Sequence, residues 1–233
     1  MQVARPSPFA SLPKFRRGAF AIFLLTAVLS ALLGDQPMAE HLVLLPGAVL
    51  DGVDVWTPIT TNFIYPPGTL LLLVGTAFMQ WFIGSEMEGF WGMRKYLTLV
   101  VGAGIAGHLT SVLLGLMIDE VAATPVGGAT AMDMATVTAF GFVYANRPLR
   151  LLAAIPLKSQ HLAMLIVGLT ILGPVLRGAP WPVMVPWIVA VAVAALVTTQ
   201  PWRRLRDSGK LGGSKKPKKR HLRVVRPDSE LLN

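Results

Sequence analysis

Cysteine is absent from the 233 residues. Its absence excludes disulfides, thiolate nucleophiles and Cys-ligated zinc or iron–sulfur centres. Charge is scarce too: Asp, Glu, Lys and Arg make up 14% of the chain, against about 25% in an ordinary soluble domain. Histidine occurs four times, at 41, 108, 161 and 221, too scattered for a close-spaced ligand motif. No metal or cofactor motif is present, so no cofactor is expected. What fills the chain instead is apolar: 53% of it is hydrophobic and the mean hydropathy is +0.58. That is the composition of an integral membrane protein.

The formal charge of +9 is unevenly spread, because eleven of the 21 Lys and Arg residues follow Trp202. The apolar body is close to neutral, which argues against a nucleic-acid partner. Residues 1–17 read as a basic leader, 18–200 as a membrane domain and 201–233 as a basic, Gly/Lys/Pro-rich tail whose composition favours disorder. Lys14, Arg16 and Arg17 precede an apolar run as in a signal peptide, but no small-residue cleavage site precedes Gly34 and further spans follow. Apolar runs predict six transmembrane helices at about 18–34, 68–84, 96–118, 127–145, 161–176 and 183–199. The expected fold class is an all-α polytopic bundle. With both termini in the cytoplasm, 20 of the 21 basic residues lie inside and only Arg177 outside, as the positive-inside rule requires. The connection 35–67 has Asp35, Glu40, Asp51 and Asp54 but no Lys or Arg, and its apolar patches suit the membrane surface. Asp119–Thr124 reads as an acidic turn, and Pro148 and Pro156 disfavour one helix between Asn146 and Lys158.

The stretch from Pro125 to Tyr144 organises the rest. Gly127, Gly128, Ala129 and Ala131 permit close helix approach, and Asp133 must face protein or a water-filled cavity. His108, in the third predicted span, is the other ionisable residue in the span cores. The two are therefore expected to touch, and with Thr130 they form the candidate polar core. Met132 and Met134 read as lipid or core contacts.

Trp56, Thr60 and Phe63 lie in the first connection, Trp81, Gly84, Glu88, Gly92, Arg94 and Tyr96 around the turn after the second span, and Gly127 and Gly128 before the fourth span. They follow one another in an order that resembles the rhomboid superfamily of intramembrane proteins, across roughly Trp56 to Thr199. Trp56, Thr60 and Phe63 match its first-loop W-R-x-x-T-x-x-F segment, with Thr57 in place of the arginine. Trp81, Gly84 and Glu88, followed by Gly92, Arg94 and Tyr96, resemble the signature that ends the second span and opens the third. Gly127 and Gly128 introduce the fourth. The resemblance implies a six-helix fold and a serine protease with its nucleophile in G-x-S-G and a histidine in the sixth span. The matching turn here is Gly128-Ala129-Thr130-Ala131, so Thr130 replaces the serine and Ala131 the final glycine. Thr76 and Leu72 stand where the family keeps an asparagine and a histidine for the oxyanion. No histidine lies between Val183 and Thr199. A hydroxyl without a base is a poor nucleophile, and losing one oxyanion donor alone costs on the order of 3 kcal/mol. No catalytic residue is therefore assigned.

The resulting expectation is a non-catalytic rhomboid-like protein that binds transmembrane segments or partner membrane proteins, in a bacterial-type inner membrane, with anionic lipids at the basic tail. Its oligomeric state is not readable. Two other readings stand beside it: a hydrolase using Thr130 in an atypical site, and a small proton or ion transporter centred on Asp133.

Overall fold

The computed structural model describes residues 14–200, except 35, 67, 70 and 152–154. The leader up to residue 13 and the tail from residue 201 lie outside the described residues. Helix α1 (Arg17–Leu33) is followed by a 3-10 turn (Pro37–His41), then α2 (Pro46–Leu50) and α3 (Thr57–Thr60), which runs into a second 3-10 turn (Thr61–Phe63). The expected surface connection is thus a set of short helices, three of them opened by a proline, whose fixed φ suits a first helical turn. A continuous helical run follows, made of α4 (Leu72–Phe78), a π segment (Met79–Gly84) and α5 (Ser85–Trp91). Gly92, at φ +79°, breaks it before α6 (Met93–Gly115).

Helix α6 ends three residues before its predicted limit, and the acidic turn is a short helix, α7 (Asp119–Ala123). The central helix α8 (Thr130–Val143) starts at Thr130, after an extended approach. The all-α class holds apart from one short connection: Pro148–Leu151 (β1) and Ile155–Lys158 (β2) form an antiparallel hairpin, with Pro148 opposite Lys158. The prolines that disfavour helix there are tolerated at the edges of so short a ladder. Helix α9 (Ser159–Leu176), a 3-10 turn (Trp181–Met184) and α10 (Val185–Thr199) complete the described chain.

Three helices are long and apolar enough by themselves to cross a membrane: Met93–Gly115, Ser159–Leu176 and Trp181–Thr199. The chain is accordingly a mostly helical membrane protein. Helix α1 has 17 residues and α8 only 14, so α8 is about 21 Å long against a hydrocarbon core of about 30 Å. Its position removes the difficulty. Every residue from Ala131 to Gly141 is buried, by α6, α9, α10 and the π segment, so α8 meets protein rather than lipid.

Non-helical backbone is tolerated at such depth only when protein satisfies its polar groups, and the first connection does so for the approach to α8. The Thr61 hydroxyl donates to the Val126 carbonyl at 2.7 Å. Leu44 and Val126 exchange backbone bonds of 3.1 and 2.8 Å, and the Gly128 amide donates to the Thr61 carbonyl at 3.0 Å. At the other end of the bundle, Glu88 accepts the Ala19 amide at 2.9 Å and Ser85 accepts the Arg16 amide at 3.1 Å. Two side chains of α5 thereby cap the start of α1, where unpaired N–H groups favour a negative charge.

Candidate functional site

Asp133 sits in the first turn of α8 and is 5% exposed. Thr76 donates its hydroxyl to one carboxylate oxygen at 2.6 Å, and the Gln80 amide donates to the other at 2.8 Å. Each donor has a further partner. The Tyr65 hydroxyl shares a 2.9 Å hydrogen bond with Thr76, and the Tyr96 hydroxyl donates to the Gln80 side-chain carbonyl. A continuous hydrogen-bonded chain thus runs Tyr65, Thr76, Asp133, Gln80, Tyr96 through the middle of the molecule. All five side chains are buried.

The local sequence explains why these side chains meet. Thr76 and Gln80 are one turn apart and share a face of the α4 run, as residues i and i+4 must. The π segment begins immediately before Gln80, at Met79; one extra residue turns everything beyond it by about 100°. Gly84, at the end of that segment, leaves room for the Tyr96 hydroxyl, which would lie 2.5 Å from an added Cβ. Tyr65 draws three elements together: its amide donates to Ser30 of α1 at 2.9 Å, its hydroxyl meets Thr76, and its ring covers Gly128 at the entrance to α8. Burial holds its phenol well above the usual tyrosine range.

Thr130 is the first residue of α8, half-buried, with Tyr65 beside it. Ala131 behind it is fully buried. Leu72 opens α4 and is 48% exposed, so it takes no part in the network. Thr76 does take part, as a donor to Asp133. His108 does not: both oxygens of Asp133 are occupied by Thr76 and Gln80, and no hydrogen bond joins the two expected partners. The His108 side chain is buried in α6, and its Nδ1 has no hydrogen-bond partner among the described residues. Helix α6 directs Gly104 at Asn62, where an added Cβ would overlap the Asn62 side chain. Thr76 and Gln80, on the helical run before α6, thus take the place expected for His108.

The remaining signature residues hold the scaffold. Trp56 donates to the His41 carbonyl at 2.8 Å and Thr60 to that of Leu42 at 2.9 Å, closing the first connection. Trp81 stacks on Phe15 with ring centroids 6.4 Å apart. Arg94 is exposed at the start of α6, and Gly127 packs against Pro66. Met132 and Met134 are buried in the core. Among the described residues, no three His, Asp or Glu side chains gather where they could hold a metal ion. Gln80, Tyr65 and Tyr96 were not predicted as site residues. A polar pair at i and i+4 inside an apolar span was the signal available for Gln80.

Residues 17–195 match the family described as Eukaryotic integral membrane protein (DUF1751). The chain belongs to that family. No curated protein matches the chain at a significant level. The DUF1751 family is described as eukaryotic, which gives no support to the expected bacterial inner membrane; integral membrane protein is the placement that stands. As a member of the family, the chain offers at Asp133 a carboxylate whose oxygens are both taken by neutral donors, and at Thr130 a hydroxyl with no histidine bonded to it.

Proposed function

We propose that this protein is a non-catalytic, rhomboid-like membrane protein of six spans with cytoplasmic termini, and that it binds transmembrane segments of partner proteins. The observation that carries the reading is the contrast between the two sides of α8. On one side Thr76, which stands where the resembled proteases keep an oxyanion donor, is bound into the Asp133 network. On the other, α9 turns most of its surface outward, with only Ser159 and Ala163 buried, and a cavity of about 220 Å³ opens between α8, α9 and α10.

Gly141, Ala145 and Ala163 line that cavity, and small residues let a second helix backbone approach closely. The buried Thr138 hydroxyl on the same wall has no hydrogen-bond partner, so an incoming helix with a polar group can satisfy it. Support for six spans comes from the contacts at the two ends. Arg16, Ser85 and Tyr144 border one groove, whereas Glu120 accepts the Trp181 indole N–H at the other end, as six alternating helices require.

The test has two parts. A photoreactive residue at Met164, which is 69% exposed beside the cavity, is expected to crosslink to membrane-protein segments, and Ala145→Leu is expected to reduce that yield severalfold. Fluorophosphonate labelling is expected to be absent. Labelling that vanishes in Thr130→Ala, or crosslinking indifferent to Ala145→Leu, overturns the reading. Transport is the second reading, favoured by the continuous hydrogen-bonded chain through Asp133; proteoliposomes carrying Asp133→Asn that dissipate a pH gradient as fast as wild type exclude it.

A further inference from the structure

Where α1 begins, a groove of about 650 Å³ is bordered by Lys14, Arg16, Glu86, Phe90 and Tyr144. Its charge is unbalanced. Arg147 is 3.0 Å from Glu86, which neutralises the acid on this wall, and its guanidinium lies 5.3 Å from the centre of the Tyr144 ring. Glu88, two residues further along α5, is turned inward to the Ala19 amide. Lys14 and Arg16 form no ion pair among the described residues.

Arg16 is also placed rather than loose. Its guanidinium lies against α5 at Gly89, where an added Cβ would come within 3.1 Å of both Nε and Nη2. Beside these cations the wall is aromatic: Phe90 meets Tyr144 edge to face at 5.8 Å and remains 57% exposed. An anion with apolar material next to it complements such a wall. Guanidinium groups present a planar fork of N–H donors that matches the oxygens of a phosphate, and lysine adds a compact second charge.

We propose that this groove binds a phosphate group, presented by an anionic phospholipid headgroup or by soluble phosphate. Arg16 and Lys14 are the ligands, Gly89 gives Arg16 its seat, and Arg147 keeps Glu86 from repelling the anion. A headgroup bound here would leave its acyl chains beside Phe90.

The experiment uses the full chain in detergent, with native mass spectrometry to measure retention of phosphatidylglycerol against phosphatidylcholine, and phosphorus NMR line broadening to measure inorganic phosphate. Arg16→Gln is expected to weaken phosphatidylglycerol binding at least tenfold. Gly89→Ala is expected to weaken it severalfold with no change in net charge. A control, Arg177→Gln, removes a positive charge at the C-terminal end of α9, away from both the groove and the basic tail, and is expected to leave binding within twofold. If only inorganic phosphate binds, and Arg16→Gln abolishes it, the source is a soluble phosphate and the site stands. If neither ligand responds to Arg16→Gln, or Arg177→Gln weakens binding as much as that variant, the proposal is overturned.

Discussion

Asp133→Ala is expected to destabilise the protein by about 3 kcal/mol, since it strands buried donors that cost roughly 1–3 kcal/mol each when left unpaired. The Gln80 amide has no other acceptor within the network. Thr76 is less exposed to the loss, because its hydroxyl can turn to Tyr65 at 2.9 Å. Asp133→Asn keeps one acceptor and adds a donor that Thr76 can accept, so about 1 kcal/mol is expected there. At about 2–4 °C per kcal/mol for a chain of this size, the alanine variant should melt about 10 °C below wild type, and the asparagine variant only a few degrees below. Unfolding followed by tryptophan fluorescence reads both. Equal melting of Asp133→Ala and wild type would show that the network does not hold the bundle together.

Gly128→Ala carries the second large effect. Gly128 has φ +97°, a conformation that costs an L-residue about 1–2 kcal/mol. The new Cβ would also come within 2.5 Å of Tyr65 Cδ1, and overpacking of this kind costs about 1–3 kcal/mol. Together the expected loss is about 3 kcal/mol, and its two parts can be separated. In a Tyr65→Ala background the collision is gone and only the backbone strain remains, so the two changes should be less than additive by 1 kcal/mol or more. Strict additivity would mean that Tyr65 is not packed on the turn that opens α8.

These two variants test the same arrangement from different sides. Asp133 holds the second helical run to α8 through Thr76 and Gln80, while Tyr65 reaches from the first connection to both. The chain of hydrogen bonds through Asp133 therefore joins helices. A hydroxyl bonded to a carboxylate and a tyrosine, as in Thr76, is a structural donor; the reacting site of an acyl transferase needs donors aimed at an incoming substrate oxygen.

Much of the helical layout was legible because apolar runs of spanning length, bounded by Gly92, by the prolines at 148 and 156 and by polar turns, report removal from water directly. The glycines at 127 and 128 likewise marked the approach to α8, since only residues with little or no side chain fit there. The short length of α8 was not legible. An apolar run reads the same whether it meets lipid or protein, and here the surrounding helices bury it on every side. The π segment was equally hidden, because Met79–Gly84 has no sequence feature that separates it from ordinary helix.

The sequence by itself determined that this is a cysteine-free, mostly helical membrane protein with a single acid at the heart of its glycine-led segment, and that this acid had to find partners inside the protein. Which partners it found was decided by the tertiary structure alone. His108 was the chemically obvious choice, yet it makes no hydrogen bond to Asp133, while the 76/80 stripe fills both carboxylate oxygens. Charge and hydropathy are properties of residues and survive in the linear chain; the meeting of side chains depends on rotations and offsets between helices, which arise only when they pack.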